Sequence, residues 1–211
     1  MILVASLALV ACQSEISDKP AAEVTETATV ATATAAAPAG EAVTANVIKE
    51  KSAIRFIGAK VTRDHKGEFG NFDGSVQYAG GQPQQVSFTI DLDSIETDTE
   101  NLTKHLKTAD FFDVEKYPTA TFTSNSLTAA PAGSPDGVTH MLQGTLDLHG
   151  VKKDVSIPVK TEQTADGLRA TSEFTINRHD WGISYKGMAD DLIKDEVLMQ
   201  LDLLFPPAPA A

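Results

Sequence analysis

At 211 residues the chain is long enough for one medium-sized domain with its own core. Its formal net charge of -12 excludes the basic face that nucleic-acid binding needs, and equally a docking surface for anionic lipid. The single cysteine excludes an internal disulfide.

In chain order, an apolar run at 2–10 leads to Cys12, and "LVAC" at 9–12 resembles the bacterial lipobox. That resemblance implies removal of residues 1–11 as a lipoprotein signal peptide and acylation of Cys12, whose acyl chains would hold the protein durably at a membrane. Gln13 after the cysteine is compatible with sorting to the outer rather than the inner membrane, so the expected location is the periplasmic side of a bacterial cell envelope. No other stretch approaches the roughly 18 apolar residues of a membrane span.

Residues 12–45 carry no aromatic residue and no steady period ("TETATVATATAAAPAGEAVT"). With no apolar stripe to dock, they are expected to form a disordered tether behind the acylated cysteine. As a coil of roughly 33 residues this tether reaches on the order of 30 Å. The closing "PPAPAA" at 206–211 reads as a disordered tail.

Between them, residues 46–205 switch to period two, the mark of strands with one buried face. "QVSFTIDLDS" is the clearest: Val86, Phe88, Ile90 and Leu92 share one face, Ser87, Thr89, Asp91 and Asp93 the other. Similar runs start near Ile54, Phe72, Ala120, Leu142, Val155, Leu168 and Val197, with turn signals at "HKGE" (65–68), "AGGQP" (79–83), "PAGSPDG" (131–137), "HG" (149–150) and "ADG" (165–167). Eight such strands joined mainly by short turns predict an all-β fold, an eight-stranded antiparallel up-and-down barrel.

One segment breaks the pattern. Residues 98–113 space Leu102, Leu106 and Ala109 as a short amphipathic helix, with Thr97 and Asp98 as candidate N-caps, and Pro118 returns the chain to extended form. This helical segment is expected near one end of the barrel, as a lid or as a core-completing crossover, with Phe111 and Phe112 buried beneath it on either reading.

The inward parity gathers Phe56, Phe72, Phe88, Ile90, Leu142, Leu146, Phe174, Ile176, Met199 and Leu201. An apolar inward face belongs to any barrel and can simply fill it. The small inward residues Gly58, Gly74, Gly144, Ala170 and Ser172 point instead to open space, so these side chains together with Phe111 and Phe112 are the expected ligand-contacting set.

"GEFGNFDGSV", "FTIDLDSIETDTENLTKHLKTADFFDVEKYPTATFTS", "GTLDLHGVKKDVSIPV" and "FTINRHDWGI", in that order, resemble the YceI-like family of bacterial lipid-binding, lipocalin-like barrels, often described as polyisoprenoid-binding. The resemblance spans about residues 52–205 and implies an envelope barrel that takes a long apolar chain into its lumen, with no reaction attached. In one stretch the sequence departs from that family, where a basic, Arg-rich or Arg-Asp step commonly precedes "HL"; here it reads "ENLTKHL".

The five histidines show no metal-ligand spacing and have no second cysteine to join them, so neither a metal site nor a cofactor is expected. Arg178, His179, Asp180 and Trp181 form the one enzyme-like cluster, yet neighbouring strand residues point to opposite faces, and no nucleophile elbow or phosphate loop accompanies them. A rim role is expected instead, with Arg178 and Asp180 bonding to nearby backbone or to the helical segment and Trp181 covering apolar surface. The chain therefore reads as a non-enzyme that binds a polyisoprenoid, an isoprenoid quinone or a fatty-acyl chain for transport, storage or protection. Its partners are then that apolar ligand and the membrane, reached through Cys12. The alternative is an interaction module, a filled barrel that engages a membrane or redox partner through its rim.

Overall fold

The computed structural model describes residues 15–16, 18–27, 42–135, 137–188 and 191–207; Cys12, the apolar run before it and residues 28–41 lie outside them, as do residues 208–211 of the expected tail. In chain order the strands are β1 (Glu23–Glu26), β2 (Val43–Asn46), β3 (Ala53–Lys60), β4 (Asp64–Phe69), β5 (Phe72–Ala79), β6 (Gln82–Asp91) and β7 (Ile95–Thr97). After helix α1 (Glu100–Leu106) come β8 (Thr119–Ala129), β9 (His140–Leu148), β10 (Val151–Thr164), β11 (Gly167–Asn177), β12 (Gly187–Met188) and β13 (Asp191–Phe205).

The fold is a curled antiparallel sheet of the expected barrel type, with strand order β5-β6-β8-β9-β10-β11-β13-β3-β4. The last strand, β13, lies beside β3, as a sheet wrapped into a barrel requires. Beyond a turn at Leu92–Ser94, β7 continues the line of β6 and pairs with β4, so one stretch of chain serves both ends of the sheet. Outside β5 lies β2, and just after it the Ile48 N–H donates to the Leu204 carbonyl of β13 at 2.8 Å. The eight expected strands are present, joined by further short ones.

Several of these additions correct the sequence reading. "HKGE" forms part of β4 and no turn, which removes His65 from the loop expected for it. Its glycine serves close approach: a Cβ on Gly67 would lie 2.4 Å from Phe56 Cζ. The reversal between β9 and β10 falls where it was expected, at His149 and Gly150, both at positive φ (52° and 73°) as a two-residue hairpin demands.

The stretch expected to be a disordered tether supplies β1 and β2. The need for β1 arises in β10. Strands β10 and β11 pair only from Lys160↔Thr171 to Thr164↔Gly167 and then part. Pro158 stands where they part, and its carbonyl accepts from the Ser172 hydroxyl of β11. In extended chain a residue's N–H and C=O point the same way, so the N–H that proline lacks is the one β11 would have received. Into the gap runs the N-terminal segment. Glu23 to Glu26 pair antiparallel with Ser156 to Lys153, while Thr175 of β11 donates to the Pro20 carbonyl at 2.9 Å and accepts from Ala22 N–H at 2.8 Å. Ile16, 6 % exposed, packs outside the sheet with Ile57, Ala59 and Leu198, and Lys19 pairs with Glu173. Residues 15–16 and 18–26 thus form a strap that completes the wall, its docking side chains spaced too irregularly to form a stripe.

Candidate ligand cavity

The main core surrounds a cavity of about 260 Å³ whose walls are almost wholly apolar. On β11 its lining runs from Leu168 to Ile176, a span of roughly 27 Å at strand rise, so the space follows the barrel axis. Of the residues expected to touch a ligand, Phe56, Phe88, Ile90, Leu142, Leu146, Phe174, Ile176, Met199 and Leu201 line it, as do Phe111 and Phe112. Phe72 does not: it is buried in the core outside the cavity lining.

The small residues divide in the same way. Gly58 has nothing within 4 Å of where a Cβ would stand, and it lines the cavity with Ala170 and Ser172. At Gly74 the space is taken by the Phe88 ring, 2.1 Å from a hypothetical Cβ, and at Gly144 by Phe122 and the Thr123 carbonyl. Those two glycines let aromatic rings lie flat on the sheet and leave no void.

One end is closed by α1 and the turns after it. The helix is shorter than the expected 98–113, running only Glu100–Leu106 with Thr99 at the N-cap. Asp98 is engaged elsewhere, and the Thr97 hydroxyl bonds Thr99 O and Thr103 Oγ1, both at 2.9 Å. Leu102 and Leu106 reach the cavity, whereas Ala109 is exposed. Phe111 packs on His105 and Tyr185 at centroid distances of 5.0 and 5.2 Å, and Phe112 meets Phe69 edge-on at 6.2 Å.

The Arg178 to Trp181 cluster is a 3-10 turn. Arg178 is buried rather than at a rim. Its guanidinium donates to the carbonyls of Ile183 (2.7 Å), Lys194 (3.1 Å) and Ile193 (3.4 Å), and approaches Asp195 at 3.4 Å. Burial lowers its pKa against the opposing pull of Asp195. Trp181 is fully buried and its Nε1 donates to the Leu146 carbonyl at 3.4 Å. Asp180 makes none of the expected backbone bonds among the described residues. His179 faces Asp195 at 3.3 Å on the surface.

Lining residues outside the expected set come from most strands, and two of them come from β4, whose alternation was read as a turn. Phe69 lines the cavity, and so does His65, only 6 % exposed, with its Nδ1 2.9 Å from Asp98 Oδ1. The alternation His65, Gly67, Phe69 was available as a signal, but two charges and a glycine made the stretch look like a turn. No group of metal-ligating side chains occurs among the described residues.

A barrel-type antiparallel sheet closed at one end by a short helix, around a long apolar cavity, defines a lipocalin-like barrel fold. Residues 46–205 match the model of the YceI-like domain, and the chain belongs to that family. A UPF0312 protein of Pseudomonas aeruginosa is 36% identical over 125 residues, covering 56% of this chain and 62% of that protein. Protein YceI of Escherichia coli O157:H7 is 38% identical over 96 residues, 44% of this chain and 47% of that one. The chain thus spans about half to three fifths of the curated relatives it matches. Among solved structures, Burkholderia cenocepacia BcnA superposes with a TM-score of 0.65 at 23% identity, covering 74% of this chain and 98% of that one. A polyisoprenoid binding domain from Saccharophagus degradans gives 0.62 at 16% identity, with 79% and 99% covered. These two likenesses are of fold.

Proposed function

We propose that the barrel binds a long apolar lipid, a polyisoprenoid, isoprenoid quinone or fatty-acyl chain, in its lumen for transport, storage or protection in a bacterial cell envelope. The observation that carries this reading is the cavity itself: about 260 Å³ of apolar space following the strands, where a barrel packed solid would leave none. Burying about 400 Å² of hydrocarbon chain at roughly 25 cal/mol per Å² gives on the order of 10 kcal/mol gross, enough to exceed association costs. Membership of the YceI-like family and the polyisoprenoid binding domain among its structural neighbours support the same ligand class. The proposal extends to a lipid anchor at Cys12, supported by the "LVAC" motif, which would keep the barrel beside the membrane that holds such ligands.

The test is to purify the full chain from a bacterial envelope, extract it with organic solvent and identify what is released by mass spectrometry. A stoichiometric long-chain lipid, lost when Ala170→Trp fills the lumen, is expected; a chain that carries no lipid and takes up none of the added isoprenoids sinks the reading. Cys12→Ser is expected to move the protein from the membrane fraction to the soluble one.

A further inference from the structure

The wall of the cavity is apolar except at a few polar side chains, and these are not equivalent. Arg178 contributes to the lining but gives its N–H groups to the carbonyls of Ile183, Ile193 and Lys194. Ser172 gives its hydroxyl to Pro158. His65 differs. One ring nitrogen, Nδ1, lies 2.9 Å from Asp98 Oδ1 and 3.2 Å from Oδ2. The other, Nε2, has no protein partner among the described residues, although the residue is more than nine-tenths buried. Among the described residues no buried side-chain nitrogen or oxygen atom lacks a partner, so Nε2 keeps free surface, and His65 lines the cavity.

The space beside this imidazole is built into the sheet. His65 stands directly across from Gly58 in the β3–β4 ladder, and Gly58 is the inward glycine with nothing within 4 Å of its missing side chain. On the other side of Gly58 lies Val197, at the point where β13 shifts register between Ile193 and Val197. A glycine and a bulge therefore leave room next to an imidazole nitrogen that no described protein group engages.

The geometry points to a head-group subsite at His65 that selects a hydroxyl-terminated apolar chain. This inference rests on the lipid-binding reading above. The chemistry follows from Asp98. A carboxylate only accepts hydrogen bonds, so the Nδ1 facing it carries the proton, and in the neutral ring Nε2 is left as a lone pair. A lone pair needs a donor. An alcohol or phenol supplies one; an ester or quinone carbonyl does not. An anionic head, carboxylate or phosphate, would have to be stripped of water in an apolar cavity whose lining cations, Arg178 and Lys60, already have partners, and Asp98 would repel it. Asp98 is the positioning residue, fixing ring and tautomer, and itself stays 43% exposed outside the cavity.

The test uses the full chain, stripped of lipid, and three probes of equal chain length: geranylgeraniol, the corresponding hydrocarbon and the corresponding aldehyde. The alcohol is expected to bind about tenfold more tightly than either of the others, and His65→Leu to bring all three to the hydrocarbon's affinity. In the unmodified protein, histidine 15N NMR gives the same answer without a variant: the Nε2 signal of His65 moves on adding the alcohol and not on adding the hydrocarbon. Equal binding of alcohol and hydrocarbon, with a static Nε2 signal, overturns the subsite while leaving lipid binding intact. No binding of any probe overturns both, and tighter binding of the aldehyde overturns the assigned tautomer and with it the proposal.

Discussion

Ser172 donates its hydroxyl to the carbonyl of Pro158 at the point where β10 and β11 separate. Past that point the N-terminal segment takes over as the neighbour of both strands, through Thr175 on one side and residues 153–156 on the other. Wall and strap are therefore one hydrogen-bonded surface, and loosening the strap exposes backbone groups in both strands.

The strap has two buried apolar residues, Ile16 outside the sheet and Ala22 against the main core, and Ile16 is the larger anchor. Ile16→Asp places a charge among Ile57, Ala59 and Leu198, and is expected to detach residues 15–26 without unfolding the barrel. The readout is amide hydrogen exchange at Ala22 and Thr175, which is expected to accelerate at least about tenfold, roughly 1.4 kcal/mol of local stability. Unchanged protection at both amides would show that the strap does not depend on Ile16.

Why the strap escaped the sequence reading is instructive. Period two shows a strand whose alternate residues face a core, and Phe88, Leu146 and Phe174 announce it plainly. Of Glu23 to Glu26 only Val24 packs an apolar side chain against the core, which leaves no repeating side-chain pattern. The visible signal lay elsewhere, in Pro158: a proline inside an otherwise continuous strand needs an edge there, and an edge in a barrel needs a cover. The lumen was legible for the same reason as the strands, because parity places inward residues together. Parity does not say which ones meet open space. Phe72 and Gly74 share the inward face with Phe88, yet Phe72 packs in the core and the ring of Phe88 fills the space over Gly74.

Acid is expected to loosen the same strap. Glu173 accepts from Lys19, which is the largest influence holding its carboxyl below the ordinary value of 4.5; burial opposes the shift, and a hydrogen bond from Gln200 supports it. A carboxyl whose folded pKa is depressed stabilises fully above its unfolded value and loses that contribution as pH falls through the folded one. Strap docking should thus be constant from neutral pH down to about 5 and weaken below 4.5. Both partners are more than a third exposed, so the effect is small. It is measured as the pH dependence of the Ala22 amide shift, and Glu173→Gln should erase the step; a step that survives in that variant assigns it to another group.

The inward glycines should respond in opposite directions to one added methyl group. Gly58→Ala meets no atom and reduces the freedom of the unfolded chain, so unfolding in urea should move by under about 1 kcal/mol and toward greater stability. Gly74→Ala drives a Cβ into the Phe88 ring and should cost roughly 1–3 kcal/mol as that ring shifts toward the cavity. Equal effects at the two positions would contradict the division between open and filled glycines.

Arg178 is expected to act on stability and to leave ligand selection alone. Its fork is the donor for the Ile183 and Lys194 carbonyls, so Arg178→Met preserves bulk but leaves buried acceptors without partners, at roughly 2–4 kcal/mol. Arg178→Lys should recover only part of that loss, since a single ammonium cannot span carbonyls that the planar fork reaches together. The comparison is made by urea denaturation and by limited proteolysis of the stretch 183–194. If Arg178→Met unfolds at the native midpoint, those carbonyls find other donors and the guanidinium is not what holds the turn before β13. If stability falls but the preference among bound lipids is unchanged, the selectivity of the cavity lies in the rest of its lining, His65 included, and the Arg178 to Trp181 turn is its support.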